Sequence, residues 1–182
     1  VWLEDEDFDI LKRHGVTVAC CPASNLKLAS GYANVPKMLE SGISVALGTD
    51  GAASNNNLNI MQDMYLFGVV YKGYFRDPTI ITPAEVLHAA TRAGALSQGR
   101  ADSGLLAVGM RADLCVLNTD TPQFTPMTSA ACNVVYAAQG ADIRMTMVDG
   151  EVLYRDGEFK TIDIEKVKAE VQRRTDSILS RL

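Results

Sequence analysis

Apolar positions along this chain fall first into a repeating order of short helices and apolar strands, and later into shorter strand-like pieces. Between Asp5 and Arg13, acids lead and Lys12 and Arg13 follow the apolar Phe8, Ile10 and Leu11, which predicts a helix whose charges complement its dipole. Gly15 stops it. Val16 to Cys21 is β-branched and apolar, a buried strand closed by Pro22, which cannot extend a hydrogen-bonded ladder. A loop rich in Ser, Asn and Gly runs from Ala23 to Ala33. Val35 to Gly42 then reads as a second short helix, with Pro36 near its start and Gly42 after its end. The next apolar run begins at Ile43 and delivers Gly48-Thr49-Asp50-Gly51.

Strands without polar alternation, separated by helices, predict a parallel sheet covered on both faces, hence an α/β fold. Leu58 to Tyr74 is amphipathic and helical, with Asn55, Asn56 and Asn57 as available caps. Its Met61, Met64 and Phe67 are spaced as core residues. Thr82-Pro83-Ala84-Glu85 combines a cap, a first-turn proline and a capping-box acid, and starts a helix through about Leu96. After Gly99 the chain turns β-rich, with strands expected at Ala112–Leu117, Asn133–Ala138, Ile143–Val148 and Glu151–Tyr154. Asp149-Gly150 is a hairpin turn between the last two. Thr161 to Leu182 is a charged terminal helix.

Composition narrows the function classes. The chain has 182 residues, 47% of them hydrophobic, with mean hydropathy near zero and a net charge of −5. Its 17 basic residues are scattered, so no patch suits a phosphate backbone and a nucleic-acid partner is not expected. No apolar run approaches the roughly 20 residues that span a bilayer, so no membrane role is expected either, and a cytoplasmic location is the default. Four cysteines, two of them adjacent (Cys20 and Cys21) and two (Cys115 and Cys132) within apolar runs, predict buried free thiols rather than disulfides. The chain begins at Val1, already approaching a helix, and so reads as part of a larger protein.

Asp50 is the residue most suited to chemistry. An apolar strand that ends in one carboxylate and runs on into a helix is how a (β/α) barrel presents a catalytic or metal-binding group at its rim. The alternative is an Asp-Gly turn with no further role. Ser54 and Asn55 follow closely enough to share that rim as substrate-binding residues, while Asn55 to Asn57 also suit helix capping. Ser24 and Asn25 either orient the loop after Pro22 or face a substrate. Lys27 either meets an anionic or ribose-bearing substrate or is simply solvated. His14 and His88 fall on helices, away from strand ends, and match no metal-ligand spacing.

The runs Cys21-Pro22-Ala23-Ser24-Asn25-Leu26-Lys27-Leu28-Ala29-Ser30-Gly31 and Leu47-Gly48-Thr49-Asp50-Gly51-Ala52-Ala53-Ser54-Asn55-Asn56 closely resemble the amidohydrolase superfamily. The resemblance continues through Gly109-Met110-Arg111-Ala112-Asp113-Leu114 and Met147-Val148-Asp149-Gly150. It is strongest to the 5-methylthioadenosine/S-adenosylhomocysteine deaminase group, which includes chlorotriazine hydrolase relatives.

The resemblance implies the C-terminal part of a distorted (β/α)8 TIM barrel with part of a small β-sandwich domain. Residues 1–103 would supply strands 7 and 8 of the barrel, 104–157 the sandwich portion and 158–182 the terminal helix. It implies one divalent metal ion, zinc or alternatively iron, held by a His-x-His pair, another His and an Asp that Asp50 matches. Asp50 would ligate the ion and take the proton of the attacking water. The remaining ligands and a catalytic Glu would lie upstream of Val1, so the chain alone is expected to be inactive. The implied reaction is hydrolytic deamination of a small purine nucleoside by a cytoplasmic enzyme, with homo-oligomerisation of the parent protein. Triazine dechlorination, deamination of another nucleobase and a non-catalytic interaction module are the alternatives. One departure stands out: Cys20 occupies a position where the family commonly has His. It reads either as a small buried residue or as a substitute polar wall or thiolate ligand.

Overall fold

A computed structural model describes residues 1–181, which divide into two compact units, residues 1–110 with 118–142, and residues 111–117 with 143–181. In the first unit, α1 (Asp5–Arg13) opens with a reciprocal cap in which the Glu4 N–H donates to the Asp7 carboxylate at 2.8 Å. It buries Phe8 and carries its acids first and its bases last, as expected. β1 (Thr17–Cys20) leads into α2 (Pro22–Lys27), then α3 (Val35–Glu40) and β2 (Ser44–Leu47). The strands pair in parallel, Thr17 against Ser44 through Cys20 against Leu47. A parallel pair needs a crossover, and the helical segment between the strands supplies it.

Beyond β2 lie α4 (Ala52–Asn55), α5 (Ile60–Phe75), α6 (Pro83–Ala90), α7 (Arg92–Ser97) and α8 (Ala130–Tyr136). Their apolar faces meet the strands in one core that includes Val35, Met38, Val45, Phe67, Tyr71, Val86 and Val135. Met64 and Phe67 are buried, as their spacing predicts.

The structure corrects several expected elements. Pro22 does more than close a strand: it sits in the first turn of α2, where a missing N–H costs nothing, so the expected loop begins as a helix. The cap of α5 is Asn59, whose side chain accepts from the Met61 N–H at 3.1 Å, rather than Asn55 to Asn57. The helix expected from Thr82 to Leu96 breaks at Thr91 (φ −128°, ψ −84°), whose hydroxyl donates to the Leu87 carbonyl at 2.7 Å. Of Asn133 to Ala138, expected as a strand, residues 133–136 form the end of α8. Ser129 caps that helix and Val135 is buried against α5 and α6, so tertiary packing overrides the β propensity of two valines. Gly68 permits this approach: a Cβ there would lie 3.0 Å from the Tyr136 ring.

That helix also moves the boundary between units. Residues 118–142, expected with the sheet portion 104–157, cluster with the first unit. The second unit is an antiparallel sheet of β3 (Leu114–Leu117), β4 (Ile143–Val148), β5 (Glu151–Arg155) and β6 (Glu158–Phe159), followed by α9 (Ile164–Leu179). Asp149 and Gly150 both take positive φ, the turn geometry that matches the twist of a hairpin. Asp163 caps α9 by accepting from the Lys166 N–H at 3.0 Å. Leu182, the last residue of the expected terminal helix, lies outside the described residues. Cys20 is buried, but Cys115 is exposed and Cys132 sits half-buried in α8, so burial of all four thiols does not hold. Among the described residues, no helix is long and apolar enough to cross a membrane.

Candidate active site

Parallel pairing outlasts β2 by one residue, because the Gly48 N–H donates to the Cys20 carbonyl at 2.9 Å. A Cβ at Gly48 would sit 3.3 Å from Cys21 Sγ, so glycine lets the two loops close on each other. Two residues on, Asp50 takes a left-handed backbone at φ 62°. Such a conformation costs a non-glycine residue of order 1–3 kcal/mol and persists where neighbours enforce it, commonly at functional sites.

The neighbours here are specific. The Ser24 hydroxyl, buried in α2, donates to Asp50 Oδ2 at 2.6 Å, and the Gly51 N–H donates to Oδ1 at 2.7 Å. Ser24 most strongly, then Gly51 and the Ser54 side chain, hold the Asp50 carboxyl below its ordinary value by stabilising its charged form. Asp50 is therefore an exposed, oriented anion at neutral pH.

Around it, side chains tie the loop after β1 to the loop after β2. Asn55 is buried and its amide donates to the Thr49 carbonyl at 2.7 Å and to Asp63 Oδ2 at 3.2 Å. The opposite oxygen of Asp63, Oδ1, accepts from the Ala23 N–H at 3.0 Å. Burial pushes the Asp63 carboxyl up, while these two donors pull it down. From α2, Lys27 donates to the Ser54 carbonyl at 2.7 Å and to the Asn56 side chain. Lys27 is thus engaged by the loop that carries Ser54.

Of the residues singled out in the sequence, the structure gathers Asp50, Ser54, Ser24 and Lys27 at one strand end. Asn55 is there too, but its amide is spent on the protein itself. His14 follows the last turn of α1, and His88 lines a cavity with Ile43, Ser44 and Val45 at the start of β2, the opposite end from Asp50. Cys20 lies against Tyr71, with Sγ 3.5 Å from the phenol oxygen, and burial pushes its thiol up to about 11. Its burial against the Tyr71 ring favours the small buried residue of the two readings. Sequence reasoning missed Asp63. Its one available signal was a lone carboxylate one turn before the core residue Phe67.

An anionic carboxylate with lone pairs to spare fits as one ligand of a divalent cation. Among the described residues no three His, Cys, Asp or Glu side chains converge into a set that could hold a metal ion.

A profile of the Amidohydrolase family matches residues 1–153. The chain belongs to the amidohydrolase family. It is 41% identical over 182 residues to a 5'-deoxyadenosine deaminase of Methanosarcina mazei, covering 100% of this chain and 42% of that protein. A 5-methylthioadenosine/S-adenosylhomocysteine deaminase of Dictyoglomus thermophilum is 40% identical over 181 residues, with the same coverage. Among solved structures, an adenosine deaminase of Xanthomonas campestris with bound zinc superposes with a TM-score of 0.94 at 29% identity. That match covers 98% of this chain and 41% of the other. The chain thus spans about two fifths of the length of the relatives it matches.

Proposed function

We propose that this chain supplies the last two βα units of a barrel, with β1 and β2 as its seventh and eighth strands, in a metal-dependent enzyme that deaminates purine nucleosides. Part of a β-sandwich domain and the terminal helix follow. The observation that carries this reading is Asp50, an exposed anion fixed by Ser24 and Gly51 where a parallel strand ends. The deaminase names of the two relatives and the zinc in the Xanthomonas campestris structure support it.

Asp50 would hold the cation, with the remaining ligands contributed from outside this chain. When bound, a divalent cation such as zinc supplies the charge that makes water a usable nucleophile near neutral pH. Asp50 would accept the proton lost by a water attacking the purine carbon that bears the amino group. Passing that proton on to the amino nitrogen would let it leave as ammonia, with the water oxygen retained in an inosine-type product. Ser54, on the same rim, faces the substrate, whereas Asn55 supports the loop from beneath.

The test is a substrate panel on the complete enzyme, read as kcat/KM. 5'-Deoxyadenosine, methylthioadenosine and S-adenosylhomocysteine should each release ammonia at least about 100-fold more efficiently than a chlorotriazine releases chloride, a margin near the upper range for discrimination by pocket contacts. Chloride release as the dominant activity would overturn the purine assignment.

Ser24 provides a second check. Ser24→Ala removes the buried hydroxyl that orients Asp50, and loss of such support to a ligand typically costs about 10–100-fold in metal affinity or activity. Chelator competition and steady-state rates on the complete enzyme measure both; a variant within twofold of the parent on each would refute this role for Ser24.

A further inference from the structure

The two loops that carry the Asp50 constellation are joined beneath the surface by one side chain. Asp63 is 1% exposed and sits in the first turn of α5. Its Oδ1 accepts from the backbone of Ala23, the residue before Ser24, and its Oδ2 from the amide of Asn55, the residue after Ser54. The same Asn55 amide grips the carbonyl of Thr49, the residue before Asp50. Ser24 and Ser54, two of the groups that hold Asp50, are therefore chain neighbours of Ala23 and Asn55, the two residues bonded to Asp63. A carboxylate buried to this degree is costly unless its oxygens are used, and here each oxygen is used on a different loop.

We infer that Asp63 is a positioning residue: through Ala23 and Asn55 it fixes the separation of the two loops, and with it the placement of the Asp50 carboxylate for metal binding. It touches neither Asp50 nor the substrate. This inference rests on the proposed role of Asp50 as a metal ligand and assigns the buried group that sets its geometry. Only a double acceptor fits the position. An Asn at 63 keeps the volume and can still accept from Ala23, but it turns an NH2 group toward the NH2 group of Asn55.

The experiment compares Asp63→Asn with the parent in the complete zinc enzyme, measuring the zinc dissociation constant by chelator competition, kcat, KM and Tm. The expected result is a zinc dissociation constant about 10–100-fold higher, the usual effect of disturbing the support of a ligand. At saturating zinc, kcat should fall while KM stays within about twofold, because a displaced proton acceptor slows the transition state more than it weakens substrate binding. A lower Tm with unchanged zinc affinity and unchanged kcat would show a purely structural residue and overturn the inference.

Should Asp63→Asn fail to fold, Asn55→Ser decides. It removes the amide that serves Thr49 and Asp63 and leaves the Ala23 bond in place. Weakened zinc binding in Asn55→Ser supports the inference, and parental affinity overturns it. If both variants fold, their double mutant should weaken zinc no more than the worse single variant, since both cut one linkage; full additivity in the logarithm of affinity overturns the inference. Asp50→Asn serves as the control. If it keeps zinc and turnover, the proposed function itself falls; if it loses both while Asp63→Asn is unaffected, only the positioning role falls.

Discussion

Asp50→Asn in the complete enzyme is expected to lose its zinc and to lower turnover by about 10²–10⁴-fold, the range associated with removing a positioned proton acceptor. The substitution is informative because it disturbs little else. Asn is nearly the same size and is among the few residues that tolerate the left-handed backbone seen at φ 62°. Its carbonyl oxygen can still accept one of the bonds now given by Ser24 and Gly51. What disappears is the negative charge, and with it both the affinity for a cation and the ability to take a proton. Metal content by atomic absorption and ammonia release by a coupled assay are the measurements. A variant that retains zinc and more than about a tenth of parental kcat would be incompatible with Asp50 in either role, given the effect sizes of general base catalysis.

The second large effect is on stability. Phe67→Ala should cost about 3–5 kcal/mol, the range for truncating a fully buried aromatic. Phe67 is 0% exposed, packs edge-on against Tyr71 with ring centroids 5.8 Å apart, and belongs to the core joining α5 to the strands. The surrounding helices are held by several contacts each, so collapse around the lost ring is limited and a cavity remains. Urea denaturation of parent and variant gives the difference; a loss below about 1 kcal/mol would mean the site collapses far more readily than a close-packed core does. Phe67 also lies one helical turn beyond Asp63, so loosening α5 should weaken the support of the rim loops together with the core.

Much of this arrangement was legible in the sequence because it depends on local patterns. The bounds of α1 follow from its acids, its bases and Gly15, and the turn of β4 into β5 follows from Asp149-Gly150. Asp50 stands out because the chain passes through it from an apolar strand into a helix rather than into a returning strand, which an Asp-Gly hairpin turn would give. Residues 133–138 misled for a physical reason: a short apolar run suits either a buried strand or one face of a helix, and packing against α5 settled the choice. The break at Thr91 depends on a side chain competing for a backbone carbonyl, which residue periodicity does not encode. Asp63 was invisible for a different reason. A lone acid near the start of an amphipathic helix normally favours the dipole and faces water, and only the tertiary structure shows it turned inward between two loops.

The linkage from Ser24 to Asp50, from Ala23 to Asp63 and from Lys27 to the Ser54 carbonyl has a consequence for redesign. Residues 21–28 and 49–56 form a matched pair, so a segment transplanted from a relative to alter substrate preference would arrive without its counterpart. Such chimaeras should be built by exchanging both segments together with position 63, treating the three as a single cassette.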